Sequence, residues 1–415
     1  MLKPIRFFVV CFLLAGCSAA VESRLDSVRA GYMTAPVSAT DLEDKNNLDL
    51  LITADTLFHY DDYAGADAAY EIFNRKNPGI QTRGDTLREI STLAFGANAN
   101  DYRPYMMDSL FVSYYQLWAA LATGRKDDAR VIINQSYARQ TDMSREYEKL
   151  IESNKKSLAE NSELATRLYD DNAHWAAYRD IMNPALMYLS GIYFLDAGEF
   201  SDAETYLSRA NGMMPKNSFI KQDLKLAESK TRPQNTVWVF IEDGFAPKLT
   251  ERRITLPFFI DGGMVPMTIA TTEPNFLPNF MAIDGAQKLA DVDAMFMTEY
   301  GEYKINESLR AVAASASRTA LQSVMYNSNS KNAGWMGLMS TIYSEFTTNA
   351  DVRTWATLPK TISVIRVANN KSGLIELRAH GNVVERVSVP TFGNHLVYVR
   401  IGPNDTDIKV ITLKK

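Results

Sequence analysis

The chain has few of the residues that build metal and redox sites. Its 415 residues include two cysteines and four histidines, and none of the histidines has a second histidine or a cysteine nearby at metal-ligand spacing. No G-x-S-x-G turn or S-x-x-K motif marks a nucleophile in a fitting context. We therefore expect no catalytic residue, no metal and no cofactor, with one alternative: an active site assembled from residues far apart in the sequence.

Basic residues are outnumbered, and long apolar runs are missing. Lysine and arginine total 44 against 49 aspartates and glutamates, a net charge of −5, which argues against nucleic acid as a partner. No stretch reaches the roughly 20 apolar residues that a membrane-spanning helix needs. The apolar run GWMGLMSTIYSEF, residues 334–346, is too short to span a bilayer as one helix, so we expect it to be buried in a core.

The first residues have the pattern of a cleaved targeting segment. Two basic residues precede a short apolar run, 7–15, and the tetrapeptide Leu14-Ala15-Gly16-Cys17 follows. Small residues there suit a peptidase that binds an extended chain, and the thiol suits alkylation by diacylglycerol. The tetrapeptide resembles the lipobox of bacterial lipoproteins, which implies that residues 1–16 are a signal peptide and that Cys17 is lipidated.

The residue after the lipobox bears on localisation. Ser18 stands where an aspartate would favour retention at the inner membrane, so resemblance to enterobacterial-type sorting implies anchoring in outer-membrane lipid, facing the periplasm. Each buried CH₂ of the acyl chains would contribute ~0.8 kcal/mol to that anchoring. Cys11 would leave with the signal peptide, so the mature chain would contain no disulfide. We expect residues 17–40 to be a lipidated tether.

Helical spacing of apolar residues dominates from about residue 41 to residue 230. The 34-residue segment 184–217, with Gly198 in its turn and Ala203 at the helix crossing, resembles a tetratricopeptide repeat. Weaker copies lie at 52–79 and 114–136. Because such hairpins must stack to bury their apolar faces, the sequence predicts a helical array with a concave groove.

Two groups of residues in this half have competing interpretations. In FHYDDY, His59, Asp61 and Asp62 form either a weak cation site or an ordinary acidic turn, and we favour the turn. Six aromatic residues either line a groove for a protein or peptide partner or belong to the core, which is commoner at helical spacing. They are Tyr114, Tyr115, Trp118, Tyr188, Tyr193 and Phe194.

The pattern changes at residues 229–235, and 235–415 reads as a second domain. Strands are predicted at NTVWVFIEDG, LTERRITLPFF and MVPMTIATTE, a helical region at 286–325, and five short strands from Thr361 onward. The predicted fold class is therefore α+β: an N-terminal tetratricopeptide-like helical array, 41–230, followed by a mixed domain that ends in a small antiparallel β-sandwich.

Residues 237–257 and 350–367 resemble signature segments of a family of uncharacterised proteobacterial lipoproteins. Members carry a lipobox, tetratricopeptide-like hairpins, an ENGLAP…RIPLP-like strand pair, an alanine-rich helix and an ADTRSWxTLP-like segment, in this order. Here Asp243 and Phe245 replace the usual Asn and Leu. The resemblance implies a lipoprotein with a C-terminal β domain, and it implies no reaction.

The second signature segment contains a possible ligand-binding pair, Arg353 and Trp355. We favour a structural interpretation, in which Trp355 and Leu358 fill the seam between helices and strands and Arg353 pairs with Glu242 or Asp243. The sequence as a whole favours a membrane-anchored periplasmic adaptor that binds protein through its helical repeats. The alternative is a cell-wall-active enzyme or a regulator of a cell-wall synthase.

Overall fold

The computed structural model describes residues 17–34, 38–77, 102–160, 182–260, 263–304, 350–370 and 372–413, with the backbone alone for residues 17, 154, 157–160, 254–260 and 263–270. Across these ranges the chain is α+β, with helices mostly in the N-terminal half. The predicted signal peptide, the run 334–346 and most of the predicted helical region 286–325 lie outside the described residues.

Within these ranges eight α-helices precede the first strand. Two of them begin directly after an asparagine, Asn183 or Asn217, that caps the helix. Each asparagine accepts hydrogen bonds from the first backbone N–H groups of its helix. The helices are α1 (Cys17–Ala30), α2 (Asn47–His59), α3 (Tyr63–Lys76), α4 (Met106–Ala122), α5 (Lys126–Glu160), α6 (Pro184–Ala197), α7 (Phe200–Met213) and α8 (Ser218–Glu228).

Three helical hairpins form at the predicted places: α2–α3, α4–α5 and α6–α7. In the last of them Gly198 ends α6 in the left-handed conformation at φ 81°, which glycine adopts without strain. A Cβ added to Gly191 would lie 2.6 Å from Cγ of Leu207, so glycine permits the close approach of α6 to α7. Helix α5 is longer than predicted, because the charged stretch from Ser144 continues it without a break.

The strands form one five-stranded sheet and two separate hairpins, β2–β3 and β6–β7. The sheet has the order β4-β5-β1-β8-β9, in which β1 and β8 are parallel and the other neighbours are antiparallel. The strands are β1 (Thr236–Asp243), β2 (Lys248–Ile260), β3 (Gly263–Asn275), β4 (Gln287–Asp291), β5 (Thr361–Ala368), β6 (Leu374–Ala379), β7 (Asn382–Ser388), β8 (Asn394–Ile401) and β9 (Thr406–Leu413).

The C-terminal strands are confirmed, but they do not form a separate antiparallel sandwich. Strands β5, β8 and β9 join β1 and β4, and the β6–β7 hairpin packs over one face of that mixed sheet through Leu377 and Val387. Strand β1 is buried along its whole length, so it becomes the central strand. The start of the predicted helical region is also corrected, since β4 precedes a helix at 292–304.

The other face of the sheet packs against the helices and forms a continuous core with them. The ring of Trp118 on α4 lies 5.3 Å from the rings of Phe240 on β1 and Tyr398 on β8. Tyr188 on α6 lies 5.8 Å from Phe240. The predicted boundary near residues 229–235 thus marks the change from helix to strand, while both parts share one core.

Candidate functional site

Helix α1, which begins at the predicted lipidation residue Cys17, packs directly on the C-terminal half. The hydroxyl of Ser18 donates to Glu251 on β2 at 2.7 Å, and Lys248 pairs with Asp26 at 2.9 Å. Arg29 is buried and donates to the carbonyl oxygens of Ala356 and Ala246. The expectation of a tether over 17–40 is therefore wrong for residues 17–34, which fold as part of the body.

Behind α1, side chains from five elements and from the segment after α1 form a largely buried polar cluster between the helices and the sheet. Tyr32 follows α1, Asp55 and His59 lie on α2, and Tyr115 lies on α4. The sheet provides Glu242 from β1, Tyr398 and Arg400 from β8, and Asp407 and Lys409 from β9. These nine residues, which we call the polar cluster, tie the first helices to three strands of the sheet.

Glu242 is the anionic centre of the polar cluster. Its Oε2 atom accepts hydrogen bonds from the hydroxyls of Tyr398 at 2.8 Å and Tyr115 at 3.0 Å, and Nε of Arg400 lies 3.9 Å away. Burial raises the pKa of the Glu242 carboxyl, and the opposing charge of Arg400 does not fully offset that effect. Arg400 also donates to the carbonyl oxygen of Thr357 at 3.0 Å.

His59 links the helices to the last strand. Its Nδ1 atom lies 2.8 Å from Oδ2 of Asp407, and its Nε2 atom lies 2.5 Å from the hydroxyl of Tyr32 and 3.3 Å from Oδ1 of Asp55. Burial alone would lower the pKa of His59, but hydrogen bonds and charges from Asp407 and Asp55 raise it above the usual 6.5. Protonation of His59 is thus more favourable in the folded chain than in the unfolded chain.

The polar cluster contains acids, a base and a cation, and every member except Asp407 is buried. Asp55, Glu242 and Arg400 have no exposed surface, and His59 is 8% exposed. Among the described residues no group of three or more His, Cys, Asp or Glu side chains is arranged to hold a metal ion. In this geometry the cluster joins elements of the fold, and a substrate would not reach it.

The structure gives Asp61 and Asp62 separate structural contacts. Asp61 accepts from Lys409 at 2.5 Å and from the hydroxyl of Tyr63 at 2.8 Å. Asp62 caps α3 by accepting from the backbone N–H of Gly65 at 2.9 Å. The turn interpretation of FHYDDY is therefore confirmed.

The predicted ion pair of Arg353 with Glu242 or Asp243 is wrong. Arg353 pairs with Asp351 at 2.8 Å, two residues away, while Asp243 accepts from the backbone N–H groups of Phe280 and Met281. The seam interpretation is confirmed, because Trp355 is buried with its ring 6.0 Å from that of Tyr115.

The six aromatic residues considered for a groove are all buried at 8% exposure or less. The core interpretation is confirmed, and the groove lining is wrong. The sheet of the same chain covers the side of the helices on which Trp118 and Tyr188 lie. A peptide cannot reach these rings while the sheet is in place.

One open depression lies where the α7–α8 turn meets β4. It has a volume of about 550 Å³, and Ser218 and Gln287 exchange two hydrogen bonds of 2.7 Å across it. Its lining is Met213, Met214, Pro215, Lys216, Asn217, Ser218, Gln287 and Lys288. Lys216 suits an anionic group, whereas Lys288 already pairs with Asp291 at 2.7 Å. Ser218 has no histidine among these neighbours to activate it.

Comparisons with family models, curated proteins and solved structures find no match to this chain. Among the helices that the structure describes, none has the length and apolar character needed to cross a bilayer. The polar cluster was not predicted from the sequence, because its members lie far apart in the chain and share no motif. One local signal was present: the buried strand β1 ends in two acidic residues, Glu242 and Asp243.

We predict that the raised pKa of His59 makes stability pH-dependent. A group with a raised folded-state pKa contributes fully below its unfolded pKa, near 6.5, and that contribution is lost as the pH rises through the folded value. The free energy of unfolding in urea should therefore fall as the pH rises above about 6.5. His59→Gln should lower that free energy at pH 6 by about 3 kcal/mol and flatten this slope.

The matched control is His380→Asn, at an exposed turn residue with φ 51°, a conformation that asparagine tolerates. It should leave the slope as in the wild type. An unchanged slope in His59→Gln would show that His59 does not carry the pH dependence.

Proposed function

We propose that this chain is a lipoprotein of the outer membrane, facing the periplasm, that acts as an adaptor for protein partners. The observation that carries the proposal is the sequence Leu14-Ala15-Gly16-Cys17, whose cysteine is the first residue of α1. Because α1 packs on the body from Ser18 onward, acylation of Cys17 would hold the whole fold against the bilayer.

The adaptor role is supported by the absence of a recognisable reaction centre among the described residues. Every titratable group of the polar cluster except Asp407 is buried. The lining of the open depression contains no carboxylate or histidine. Catalysis needs a nucleophile or base within reach of a bound substrate. A protein surface that recognises other proteins has no such requirement.

The proposed contact surface is the outer side of the helical hairpins, since the sheet covers the inner side. Helix α5 has seven buried residues spaced alternately four and three apart, which leaves its opposite face outward. The seven are Ala129, Ile133, Ser136, Gln140, Met143, Tyr147 and Leu150. Val131 lies on the outward face and is 51% exposed. The proposal includes two further points. The hairpins are tetratricopeptide-like repeats, and the chain belongs to the lipoprotein family that its two signature segments resemble.

The depression at α7–α8 favours a second candidate, a cell-wall-active enzyme or a regulator of a cell-wall synthase. Lys216 in its lining would suit a carboxylate or phosphate of a wall fragment, whereas Lys288 already pairs with Asp291 at 2.7 Å. Regulation would then depend on occupancy of the depression. The adaptor is preferred, because the lining of the depression contains no carboxylate or histidine.

We predict that Cys17→Ala moves the protein from the membrane to the soluble fraction without unfolding it. Cys17 contributes the anchor, whereas Leu25 and Arg29 hold α1 in place by burial and hydrogen bonds. Fractionation followed by thermal unfolding of the released protein measures both effects. A variant that still sediments mainly with membranes would contradict lipid anchoring.

We also predict that a photocrosslinking amino acid at position 131 captures a protein partner in intact envelopes. The same residue at position 392 is the matched control, because Phe392 is 72% exposed but lies on the β half of the chain. Crosslinks at 131 that exceed those at 392 and fall sharply in Cys17→Ala would support the adaptor. Absence of crosslinks, together with turnover of wall fragments by the purified protein, would favour the enzyme.

A further inference from the structure

Arg139 on helix α5 is a partly buried cation with a single hydrogen bond to the described residues. Its Nη1 atom donates to the hydroxyl of Ser113 on α4 at 3.1 Å, and that hydroxyl donates in turn to the carbonyl oxygen of Ser109 at 3.2 Å. The Nε and Nη2 atoms of Arg139 have no partner among the described residues, and neither atom is fully enclosed. The guanidinium group therefore lies in a recess between α4 and α5, with two nitrogen atoms in contact with water.

The two other arginines of α5 have carboxylate partners. Arg130 pairs with Glu199, directly before α7, and Arg145 pairs with Asp142, about one turn earlier on α5. The side chains of Arg130 and Arg145 are 41% and 61% exposed. The two exposed arginines are thus neutralised by an acid, whereas the partly buried Arg139 has only a serine hydroxyl.

The surroundings of Arg139 make its charge unfavourable. Burial lowers the pKa of the Arg139 guanidinium, and no acidic neighbour offsets this effect. A cation that is removed from water without an opposing charge costs free energy, so such groups are normally paired. An apolar side chain of similar length would avoid that cost. A cation that the fold does not need indicates a role in recognition.

The recess adjoins the outward face of α5, the contact surface proposed for the adaptor. Residues four apart follow one stripe of a helix, and Val131, Gln135 and Arg139 have this spacing. Val131 is 51% exposed, and Gln135 is exposed as well. The stripe therefore leads from an apolar contact through an amide to a cation, about 12 Å further along the helix.

The free edge of the Arg139 guanidinium suits a carboxylate. Carboxylates bind arginine through two parallel hydrogen bonds from adjacent nitrogen atoms. Nε and Nη2 form such an edge, and Ser113 fixes its direction by holding Nη1. Because the chain as a whole has a net charge of −5, recognition of an acid would depend on this local cation and not on general attraction.

We propose that Arg139 binds an acidic side chain of the protein partner, with Nε and Nη2 donating to the two oxygens of one carboxylate. This inference rests on the proposed adaptor role. Binding would neutralise the cation and remove the cost that it bears in the free protein. An apolar group of the same partner would then reach Val131 on the same stripe.

Replacement of Arg139 by an apolar side chain tests whether the fold needs the cation. We expect Arg139→Met to unfold at the same urea concentration as the wild type or at a higher one, because the methionine leaves no charge in the recess. Arg145→Met, at an exposed position of the same helix, is the matched control and should be unchanged. A clear fall for Arg139→Met beyond that of the control would assign Arg139 to the fold and overturn the proposal.

Binding is measured at Arg139 itself by nuclear magnetic resonance. The whole protein is prepared with ¹⁵N-labelled arginine, and the Nε–H resonances of Arg139 and Arg145 are assigned with Arg139→Lys and Arg145→Lys. The probes are N-acetyl-glutamate methylamide, its uncharged glutamine counterpart and inorganic phosphate. Arg145 is the control site, because it is exposed and already paired with Asp142.

We expect the glutamate probe to shift the Arg139 resonance saturably, with binding about tenfold tighter than at Arg145 and about tenfold tighter than that of the glutamine probe. An unchanged Arg139 resonance, or equal responses at the two arginines, would overturn the proposal. Tighter binding of phosphate than of the glutamate probe would overturn the assignment to a carboxylate in favour of a phosphate-bearing ligand.

The failure of this inference is distinguishable from the failure of the adaptor role. Photocrosslinking from position 131 is repeated in Arg139→Gln, with Arg145→Gln as the control, and a loss of crosslinks in Arg139→Gln alone would support the inference. Crosslinks that persist in Arg139→Gln would refute the role of Arg139 and leave the adaptor standing. Probe binding at Arg139 without crosslinks from position 131 in the wild type would refute the protein partner and leave an anion site alone.

Discussion

The packing of one sheet face into the helical hairpins is the constraint on which the rest of the structure depends. Trp118 lies between Phe240 and Tyr398, and Tyr188 continues the contact along β1. Aromatic side chains of this size each bury a large apolar area, and neither half could leave them exposed without a large loss of stability. The helices and the sheet therefore depend on each other for folding, although the chain changes from helix to strand at a clear boundary.

The polar cluster helps to specify how the sheet is oriented on the helices. Glu242, Arg400 and His59 are charged or readily charged groups in an interior where an unpaired charge is strongly unfavourable. Each has partners on another element: the two tyrosine hydroxyls for Glu242, Thr357 for Arg400 and Asp407 for His59. Sliding the sheet across the helices would separate Tyr115 from Glu242 and His59 from Asp407, so the cluster favours one arrangement of the two layers.

Local features of the fold were predictable, because their signals lie within a few turns of chain. Gly198 ends a helix, Gly191 admits a neighbouring helix, and alternating apolar residues mark the strands. The burial of Trp355 was predictable in the same way, from a bulky residue in an irregular segment before a strand.

Long-range pairings were not predictable, because no local pattern specifies them. The parallel contact of β1 with β8 joins residues about 160 positions apart, and Ser18 reaches Glu251 across 233 positions. The residues of helix α1 resemble a tether in the local sequence, because their partners lie in the other half of the chain. The polar cluster is not predictable from the sequence for the same reason. The lipidation of Cys17, by contrast, is inferred from a motif that is wholly local.

The dependence of the helices on the sheet bears on function. The sheet fills the side of the helices where the sequence predicts a groove, so a protein partner would have to bind the outer surface. The most direct measurement is the thermal unfolding of residues 41–230 expressed alone, followed by near-ultraviolet circular dichroism. The account predicts weak near-ultraviolet signals, no cooperative transition and a tendency to aggregate, because Trp118 and its neighbours lose their cover. A cooperative transition in a monomeric fragment would contradict it and restore the helical groove as an independent binding site.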